Sequence, residues 1–388
     1  MITRLRGITW DHSRGYTPMV ATAQRFHELH PEVEIAWEKR SLQAFGDFPL
    51  QKLVDKFDLL IIDHPFVGYA ATHPILLPLD KYLPADYLQD QAANSVGASH
   101  ESYIYGGHQW ALATDAATPI TSYRPDLFKK HKLTLPKTWE EVVELAKSGM
   151  VIVPAVAIDS LMNIYYFCVN RGIPLFENGT FVDEAAGIWA LEQLRSFVSL
   201  CPPECLTQNP IKTHDALAAG DKYVYCPFVY GYSNYGREGY AEHLLAFTDV
   251  VGFEKNKIGS TTLGGTGLAI SASCQHTDVA VEYVKYVHTG LIQRTLYIEN
   301  GGQSGHRSSW LDETANTRTN NFFKDTLATL DNAYLRPRYD GYSHFQDAGS
   351  LVVHEYLKNG GNPKQVLQKL QKIYLDSLKG IDALEHSL

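Results

Sequence analysis

Hydrophobic and polar positions follow two different periods over the first part of the chain. Short apolar or alternating runs typical of strands occur three times, in LRGITW, VEIAWE and FDLLIID. Between the first two, Met19, Ala23 and Phe26 recur at helical spacing, and a short helix is predicted around PLQKLVDK between the second and the third. FVGYAATH after the third is also helical in pattern. The order strand, helix, strand, helix, strand predicts a doubly wound α/β domain with right-handed crossovers.

Local signals place several element boundaries. Thr17 followed by Pro18 predicts the start of the first helix, with DHSRGY as the loop before it. Thr138 and Glu141 have the spacing of a capping box. The apolar run MVIVPAVAID predicts the first strand of a second α/β unit. Because no Pro, Gly or Ser-rich linker separates the two units, we expect more than one crossing of the chain between them.

The stretch TLGGTGLAIS at residues 262–271 places three glycines within four positions. A phosphate-binding loop requires a lysine and a helix after the glycines, but here LAIS follows and has the pattern of a strand. The dinucleotide fingerprint GxGxxG also fails, because Ile270 stands where the third glycine would be. The stretch therefore predicts a glycine-rich entry to a strand, required either by a tight turn or by close approach of the backbone to another group.

Polar side chains follow the predicted strands at the edge where a doubly wound sheet binds its ligands. They are Asp11, His12 and Arg14 after the first strand, Arg40 after the second, and Asp63 and His64 after the third. A single Asp after a strand is most often a helix cap, but six polar groups at one edge favour a site for a polar ligand. Trp10 and the tyrosines of FVYGYSNY add flat aromatic faces that suit sugars.

Composition and charge narrow the class of protein. The chain has 388 residues, 45% of them hydrophobic and 20% charged, which is typical of a soluble globular protein of two or three domains. Its formal net charge is -9 without a basic cluster, which argues against a nucleic-acid partner. No apolar run approaches the roughly 18 residues of a membrane span.

The cysteines and the N-terminus bear on the compartment. Of the five cysteines only Cys201 and Cys205 lie close in sequence, in CPPEC, where buried thiols are more usual than a zinc site and a disulfide is possible. MITRLRGITW lacks the apolar segment of a signal peptide. We therefore expect a periplasmic or cell-surface protein if a leader was removed, and a cytoplasmic one if Met1 is the native start.

Five stretches together resemble the family 1 extracellular solute-binding proteins of ABC importers, in the carbohydrate-associated branch. They are HPEVEIAWE, YRPDLFKKHKLTLPKTWEEVVELAK, AGDKYVYCPFVYGYSNY, TLGGTGLAIS and RPRYDGY. The resemblance implies a periplasmic binding protein-like type II fold, with two doubly wound α/β lobes, a hinge and a central cleft that closes on the solute. It places lobe 1 at residues 1–117 plus 262–315 and lobe 2 at residues 118–261 plus 316–388.

On this hypothesis the chain binds a small polar solute, such as a sugar, a polyol or an organic acid, and delivers it to importer membrane subunits. It implies no cofactor, no metal and no catalytic group. The expected ligand contacts are Trp10, Asp11, His12, Arg14, Arg40, Asp63, His64, Asp115, Tyr230, Tyr232, Gly265, Gln303 and His306.

Two alternatives come from the same polar residues. An Asp or His could act as general base, with Arg holding a carboxylate, in a cytoplasmic hydrolase or lyase that acts on a small anionic substrate. The two Asp-His pairs could instead bind Zn or Fe, although no spacing rule supports a metal site.

Overall fold

The computed structural model describes residues 2–42, 51–254 and 257–385, and it divides into two compact units. Unit 1 comprises Met1–Ala117 with Gly264–Thr317, and unit 2 comprises Thr118–Leu263 with Arg318–Leu388. The chain therefore passes between the units three times. The first bound coincides with the one that the family resemblance implies, and the other two lie two residues further on. That the units act as hinged lobes stays a prediction.

The strands form three sheets within the described part of the chain. Sheet order is β2-β1-β3-β10-β6 in unit 1, with a separate hairpin of β4 and β5, and β8-β7-β9 in unit 2. The strands are β1 (Thr3–Trp10), β2 (Val33–Arg40), β3 (Leu59–Ile62), β4 (Ile104–Tyr105), β5 (His108–Gln109), β6 (Leu112–Ala117), β7 (Pro119–Tyr123), β8 (Tyr225–Tyr230), β9 (Ala246–Thr248) and β10 (Gly264–Ile270).

Helices connect and flank these strands. Those of unit 1 are Ser13–Leu29, Gln51–Val54, Val67–Thr72, Ala85–Ala93, Thr277–Val287, Gly290–Ile292, Arg307–Trp310 and Glu313–Arg318, with a π-helical turn at Gln293–Tyr297 and 3₁₀ turns at His64–Phe66, Leu79–Lys81 and Glu101–Tyr103. Those of unit 2 are Pro125–His131, Trp139–Ala146, Ala157–Val169, Glu184–Leu200, Pro210–Ala218, Phe322–Asp331, Tyr342–Asn359 and Pro363–Glu385, with 3₁₀ turns at Pro203–Thr207 and Ser233–Gly236. No described helix is long and apolar enough to cross a lipid bilayer.

The first three strands of unit 1 confirm the β-α-β-α-β order that the hydrophobic pattern predicts. β1 pairs in parallel with both β2 and β3. Leu59 and Ile61 of β3 pack into one hydrophobic cluster, whereas Leu60 and Ile62 pack into another. Because successive side chains of a strand point to opposite faces, these two clusters lie on the two faces of the sheet. Because both faces of β3 are buried, its sequence is a continuous apolar run.

The first helix begins earlier than the sequence suggests. It starts at Ser13 with His12 as its N-cap, so the prediction that Thr17 caps it is wrong and Pro18 lies inside the helix. A glycine in DHSRGY is typical of a loop, but Gly15 lies in the helix and packs against Trp10. A Cβ atom at Gly15 would lie 2.4 Å from the indole ring of Trp10. The glycine therefore lets the first turn of the helix lie against the end of β1.

β10 completes the sheet of unit 1 from a distant part of the sequence. It runs antiparallel to β3 on one side and to β6 on the other, with a register shift between Thr266 and Gly267. Gly265 has a φ of +94°, and a Cβ there would lie 2.3 Å from the carbonyl oxygen of Asp115. The glycine-rich entry is thus required by close approach of two backbones and by a left-handed conformation.

Unit 2 packs an antiparallel sheet against helices. β7 pairs antiparallel with β8 and with β9. Half of the predicted capping box is present at the start of Trp139–Ala146, where the Glu141 N–H donates to Thr138 Oγ1 at 3.3 Å. The Glu141 carboxylate accepts from the Lys137 N–H at 2.6 Å, one residue before the N-cap. The indole of Trp139 packs edge-on against the ring of Phe167, with 5.2 Å between their centroids. This contact belongs to an aromatic core that joins three helices and β8: Tyr166, Phe167, Trp189, Phe197, Phe228 and Phe253.

The strand predicted in MVIVPAVAID is wrong as a regular strand. Only Val151 makes a bridge, in parallel with Tyr225. Pro154 lacks an N–H for a ladder, and the Ala155 N–H donates to the carbonyl oxygen of Cys205 instead. The run is buried, so hydrophobicity alone did not separate it from a strand.

The role of Gly265 leads to a prediction about stability. We expect Gly265→Ala to lower the free energy of unfolding by at least about 2 kcal/mol, because it adds a backbone clash to the cost of a positive φ. Gly107→Ala is the matched control, since Gly107 has a φ of +80° but open space where its Cβ would lie. Urea unfolding should show a smaller loss for the control. Equal losses would contradict the close approach of β10 to β6.

Candidate functional site

Unit 1 holds all the predicted contact residues except Tyr230 and Tyr232, which lie in unit 2. The residues of unit 1 occur at the ends of β1, β2 and β3, within β6 and β10, and in residues 303–306. The structure brings Trp10, Arg14, Asp115 and Gln303 together. Asp11, His12, Arg40, Asp63, His64 and Gly265 lie at the ends of strands in the sheet of unit 1.

A buried ion pair joins the first helix to β6. The Arg14 guanidinium binds the Asp115 carboxylate through two bonds, one of them from Nε to Oδ2 at 2.9 Å and the other from Nη2 to Oδ1. Arg14 is 4% exposed and Asp115 is 1% exposed. Burial raises the pKa of the Asp115 carboxyl, while Arg14 and the backbone of Gln303 oppose that shift. The bidentate geometry orients both side chains rigidly.

Residues 303–304 extend the edge of β6 beside this pair. The Ala116 N–H donates to the Gln303 carbonyl oxygen at 2.8 Å, and Gln303 Nε2 donates to the Ala116 carbonyl oxygen at 2.9 Å. Gln303 is fully buried. Its side chain therefore holds backbone in place. The Cζ of Arg14 lies 6.0 Å from the centroid of the Trp10 ring, so an aromatic ring lies beside the Arg14–Asp115 ion pair.

The ends of β1 and β2 carry a second polar group of residues. The Asp11 N–H donates to the Arg40 carbonyl oxygen at 2.7 Å, and Asp11 Oδ1 lies 2.8 Å from Lys39 Nζ. His12 Nδ1 accepts from the Arg14 N–H at 3.0 Å, which is the N-cap bond of the helix. Burial lowers the pKa of Arg40 to about 10, so this half-buried guanidinium is still charged at neutral pH.

At the end of β3 the Asp-His pair has a capping role. Asp63 Oδ1 accepts from the His64 N–H at 2.9 Å at the start of the 3₁₀ turn His64–Phe66. The His64 ring is buried and lies edge-on to Tyr103, with 6.4 Å between ring centroids. Asp63 keeps partial exposure at this edge of the sheet.

His306 lies beside a small polar cavity in unit 1. Its Nδ1 is hydrogen-bonded to the Ser308 hydroxyl at 2.8 Å, and burial lowers the pKa of the imidazole. The cavity has a volume of about 10 Å³, comparable to one water molecule. It is lined by Gln91, Asn94, Ser95, His100, Ala113, Gly305 and His306.

In unit 2, Tyr230 ends β8 and Tyr232 follows it. Tyr232 is buried and lies edge-on to His214, with 5.8 Å between ring centroids. Tyr230 is half-buried. Tyr235 of the same segment donates from its hydroxyl to Asp215 Oδ1 at 2.6 Å, so it anchors the loop to the helix Pro210–Ala218.

Sequence reasoning missed several residues at or near these groups. Tyr297 is fully buried, and the charges of Arg14 and Asp115 both act on its phenol. It belongs to the π-helical turn Gln293–Tyr297, for which the sequence carries no signal that we can name. π-Helical turns occur frequently at functional sites.

Asp159 was also missed, although the sequence offers a signal. It is an acidic residue inside an apolar run and lies in the first turn of the helix Ala157–Val169. It is 4% exposed, and burial raises the pKa of its carboxyl to about 8. Among the described residues, none hydrogen-bonds Asp159 Oδ2.

The metal alternative finds no support in the described ranges. Within them, no three His, Cys, Asp or Glu side chains lie close enough to hold a metal ion. In the structure, Asp63 caps its own 3₁₀ turn and Asp11 pairs with Lys39.

Comparison with known proteins agrees with the resemblance seen in the sequence. Residues 10–193 match the family described as bacterial extracellular solute-binding protein. This stretch begins at the last residue of β1 and contains β2 to β7 and most of the polar strand ends described above.

A curated relative agrees over part of the chain. The mannitol-binding protein of Pseudomonas aeruginosa is 31% identical over 126 residues, which is 31% of this chain and 28% of that protein. The match thus spans less than a third of the relative's length.

Solved structures extend the solute-binding protein fold to almost the whole chain. Maltose-bound MalE3 of T. maritima is similar with a TM-score of 0.83 at 18% identity, covering 96% of this chain and 99% of that one. A solute-binding protein of an ABC transporter from Agrobacterium radiobacter K84, in complex with ribitol, has a TM-score of 0.80 at 18% identity. The similarity covers 96% of this chain and 98% of that one. The expected fold class, periplasmic binding protein-like type II, is confirmed.

The ion pair generates a prediction about stability. We expect Asp115→Asn to cost about 3–5 kcal/mol of unfolding free energy, because it leaves the Arg14 charge buried without its counter-charge. Asp11→Asn is the control: its partner Lys39 is at the surface, so that variant should unfold almost like the parent. Denaturant unfolding of both variants measures the difference. A double variant, Arg14→Met with Asp115→Leu, should recover much of the loss, and a further drop would contradict this interpretation.

His288 generates a prediction about pH. It is buried, with Nδ1 at 2.7 Å from the Val284 carbonyl oxygen and Nε2 at 2.7 Å from Thr114 Oγ1, and burial lowers its pKa to about 4. Below pH 6.5 the His288 imidazole becomes protonated in the unfolded chain, whereas in the folded chain it stays neutral until about pH 4. Stability should therefore fall by up to about 3 kcal/mol as pH drops through that window.

The variant His288→Gln should flatten part of this pH dependence, whereas His131→Gln, at an exposed position, should not. Unfolding free energies measured between pH 7 and pH 4 test the difference. Parallel curves for the parent and His288→Gln would show that His288 is not the group responsible.

Proposed function

We propose that this chain is the solute-binding protein of an ABC importer and that its ligand is a small uncharged sugar or polyol. The family match over residues 10–193 carries the proposal. The named ligands of similar proteins, which are mannitol, maltose and ribitol, all belong to this chemical class. Importer membrane subunits as partners, and a location outside the cytoplasm, follow from the same family match and are part of the proposal.

The charge compensation of Arg14 and Asp11 within the protein supports an uncharged ligand over an anionic one. The Arg14 guanidinium makes two bonds to the Asp115 carboxylate in a buried pair, so its charge is compensated within the protein. At the ends of β1 and β2, the Asp11 carboxylate is compensated by Lys39. Burial lowers the pKa of His306, which favours a neutral imidazole that can exchange hydrogen bonds with a hydroxyl.

The contact residues of the proposal are those at the strand ends and in the aromatic segment of unit 2. They remain Trp10, Asp11, His12, Arg14, Arg40, Asp63, His64, Asp115, Tyr230, Tyr232, Gly265, Gln303 and His306. Within this set we propose different roles. Arg14, Asp115, Gln303 and Gly265 hold the backbone of β6 and β10 in place, whereas the more exposed Asp11, Arg40, Asp63 and Tyr230 reach the solute.

A thermal-shift and calorimetric screen tests the ligand class. The panel contains mannitol, ribitol, sorbitol and maltose, with glucuronate and citrate as anionic members. We expect an uncharged member to bind, and a ligand at 100 times its dissociation constant should stabilise the fold by about 2.7 kcal/mol. The ligand should be recovered unchanged after incubation.

A pair of variants separates the solute contacts from general stability. Tyr230→Ala should weaken binding about tenfold, equivalent to about 1.4 kcal/mol. Tyr82→Ala removes an exposed tyrosine of unit 1 that is not among the proposed contacts and should leave affinity unchanged. Binding by anions alone would overturn the ligand class, and chemical conversion of a bound compound would favour the enzyme alternative.

A further inference from the structure

Two cysteines of unit 2 meet around a single turn of the chain. The helix Glu184–Leu200 ends at Cys201, whose N–H donates to the Val198 carbonyl oxygen at 3.0 Å. The Cys205 N–H then donates to the Pro202 carbonyl oxygen, also at 3.0 Å, within the 3₁₀ turn Pro203–Thr207. This turn reverses the chain and brings the Cys201 thiol into hydrogen-bonding contact with the Cys205 sulfur.

The two sulfurs lie in different surroundings. Cys205 is 0% exposed, and its sulfur also accepts from the Val153 N–H at 3.4 Å. Cys201 is 8% exposed and so lies closer to solvent. The hydrogen bonds that Cys205 accepts lower the pKa of its thiol, which favours its thiolate. A thiolate in contact with a more accessible thiol can accept the proton of that thiol, which leaves the accessible sulfur as the nucleophile for thiol–disulfide exchange.

We propose that Cys201 and Cys205 form a redox modification site, which closes to an intramolecular disulfide on reaction with a low-molecular-weight disulfide. This inference does not rest on the proposed solute-binding function. In the structure both thiols are reduced.

The reaction is balanced by two exchange steps. The Cys201 thiol, the more exposed of the two, passes its proton to the Cys205 thiolate through the hydrogen bond between them. The Cys201 sulfur then displaces one half of the reagent and forms a mixed disulfide with the other half. The Cys205 sulfur then attacks the Cys201 sulfur and releases that half. The two thiol protons of the protein end on the two reagent thiols, so the protein is oxidised by two electrons and the reagent is reduced by two.

Other cysteines are less suited to the reaction. The Cys226 thiol is directed to the Phe228 carbonyl oxygen at 3.7 Å, and burial raises the pKa well above its ordinary value. Burial also raises the pKa of Cys168, to about 12, and that of Cys274, to about 11. Among the described cysteines, Cys205 therefore has the thiol most readily ionised.

Mass spectrometry of the folded, full-length protein tests the proposal. The chain is incubated with excess oxidised dithiothreitol or oxidised glutathione, denatured in acid and alkylated with N-ethylmaleimide. We expect the number of alkylated cysteines to fall from five to three, and to return to five when a reductant is added before alkylation. The tryptic peptide of residues 196–212, which contains both cysteines, should lose two hydrogen atoms and carry no alkyl group.

Two variants serve as controls. With oxidised dithiothreitol, whose mixed disulfide reverts by ring closure, Cys205→Ser should keep all four of its remaining thiols free, whereas Cys226→Ser should still lose two. With oxidised glutathione, Cys205→Ser should stop at a mixed disulfide on Cys201. Five alkylated cysteines after oxidation would overturn the proposal, as would a persistent reagent adduct on the peptide of residues 196–212. A cross-link from that peptide to residues 223–237, which contain Cys226, would also overturn it.

Discussion

The sheet of unit 1 depends on β10 fitting between two strands that precede it by more than 140 residues. The fit requires backbones to approach more closely than side chains allow, which is why Gly265 stands opposite Asp115 and Ala116. The same insertion positions the carboxylate of Asp115 on β6 and, through residues 303–304, the outer edge of that strand. Several candidate contacts are therefore positioned by the close approach of two backbones, which does not itself involve a ligand.

The Arg14–Asp115 pair shows how two charged side chains of the candidate set compensate each other inside the protein. Two ions have been removed from water, at a cost that only good geometry offsets, and the bidentate bond supplies that geometry. What remains at the ends of the strands is a set of hydrogen-bonding groups backed by aromatic rings. Such a surface recognises hydroxyl groups through the directions of its hydrogen bonds. These directions are what distinguish one polyol from another.

Much of unit 1 could be predicted from the sequence because hydrophobic period is a local property. The continuous run of β3 and the glycine-rich entry to β10 both behave as their patterns indicate. Predictions failed where packing or a missing N–H, and not the hydrophobic period, decides the local structure. Gly15 looked like a loop residue because its contact with Trp10 is invisible in sequence, and Pro154 removed the ladder from a run that was otherwise typical of a strand. The ion pair was missed as a pair, since 101 positions separate its members.

The triple passage of the chain between the units has a consequence for biogenesis. During synthesis from the N-terminus, the ribosome releases β1, β2, β3 and β6 long before β10 exists. Until then β3 and β6 each have an unpaired edge in the place that β10 will occupy, and unpaired strand edges are prone to association with other chains. Unit 2 is also incomplete until the C-terminal helices follow. Nascent chains of this protein therefore spend most of their synthesis with neither unit complete. Such chains are better suited to binding by a chaperone than to early folding.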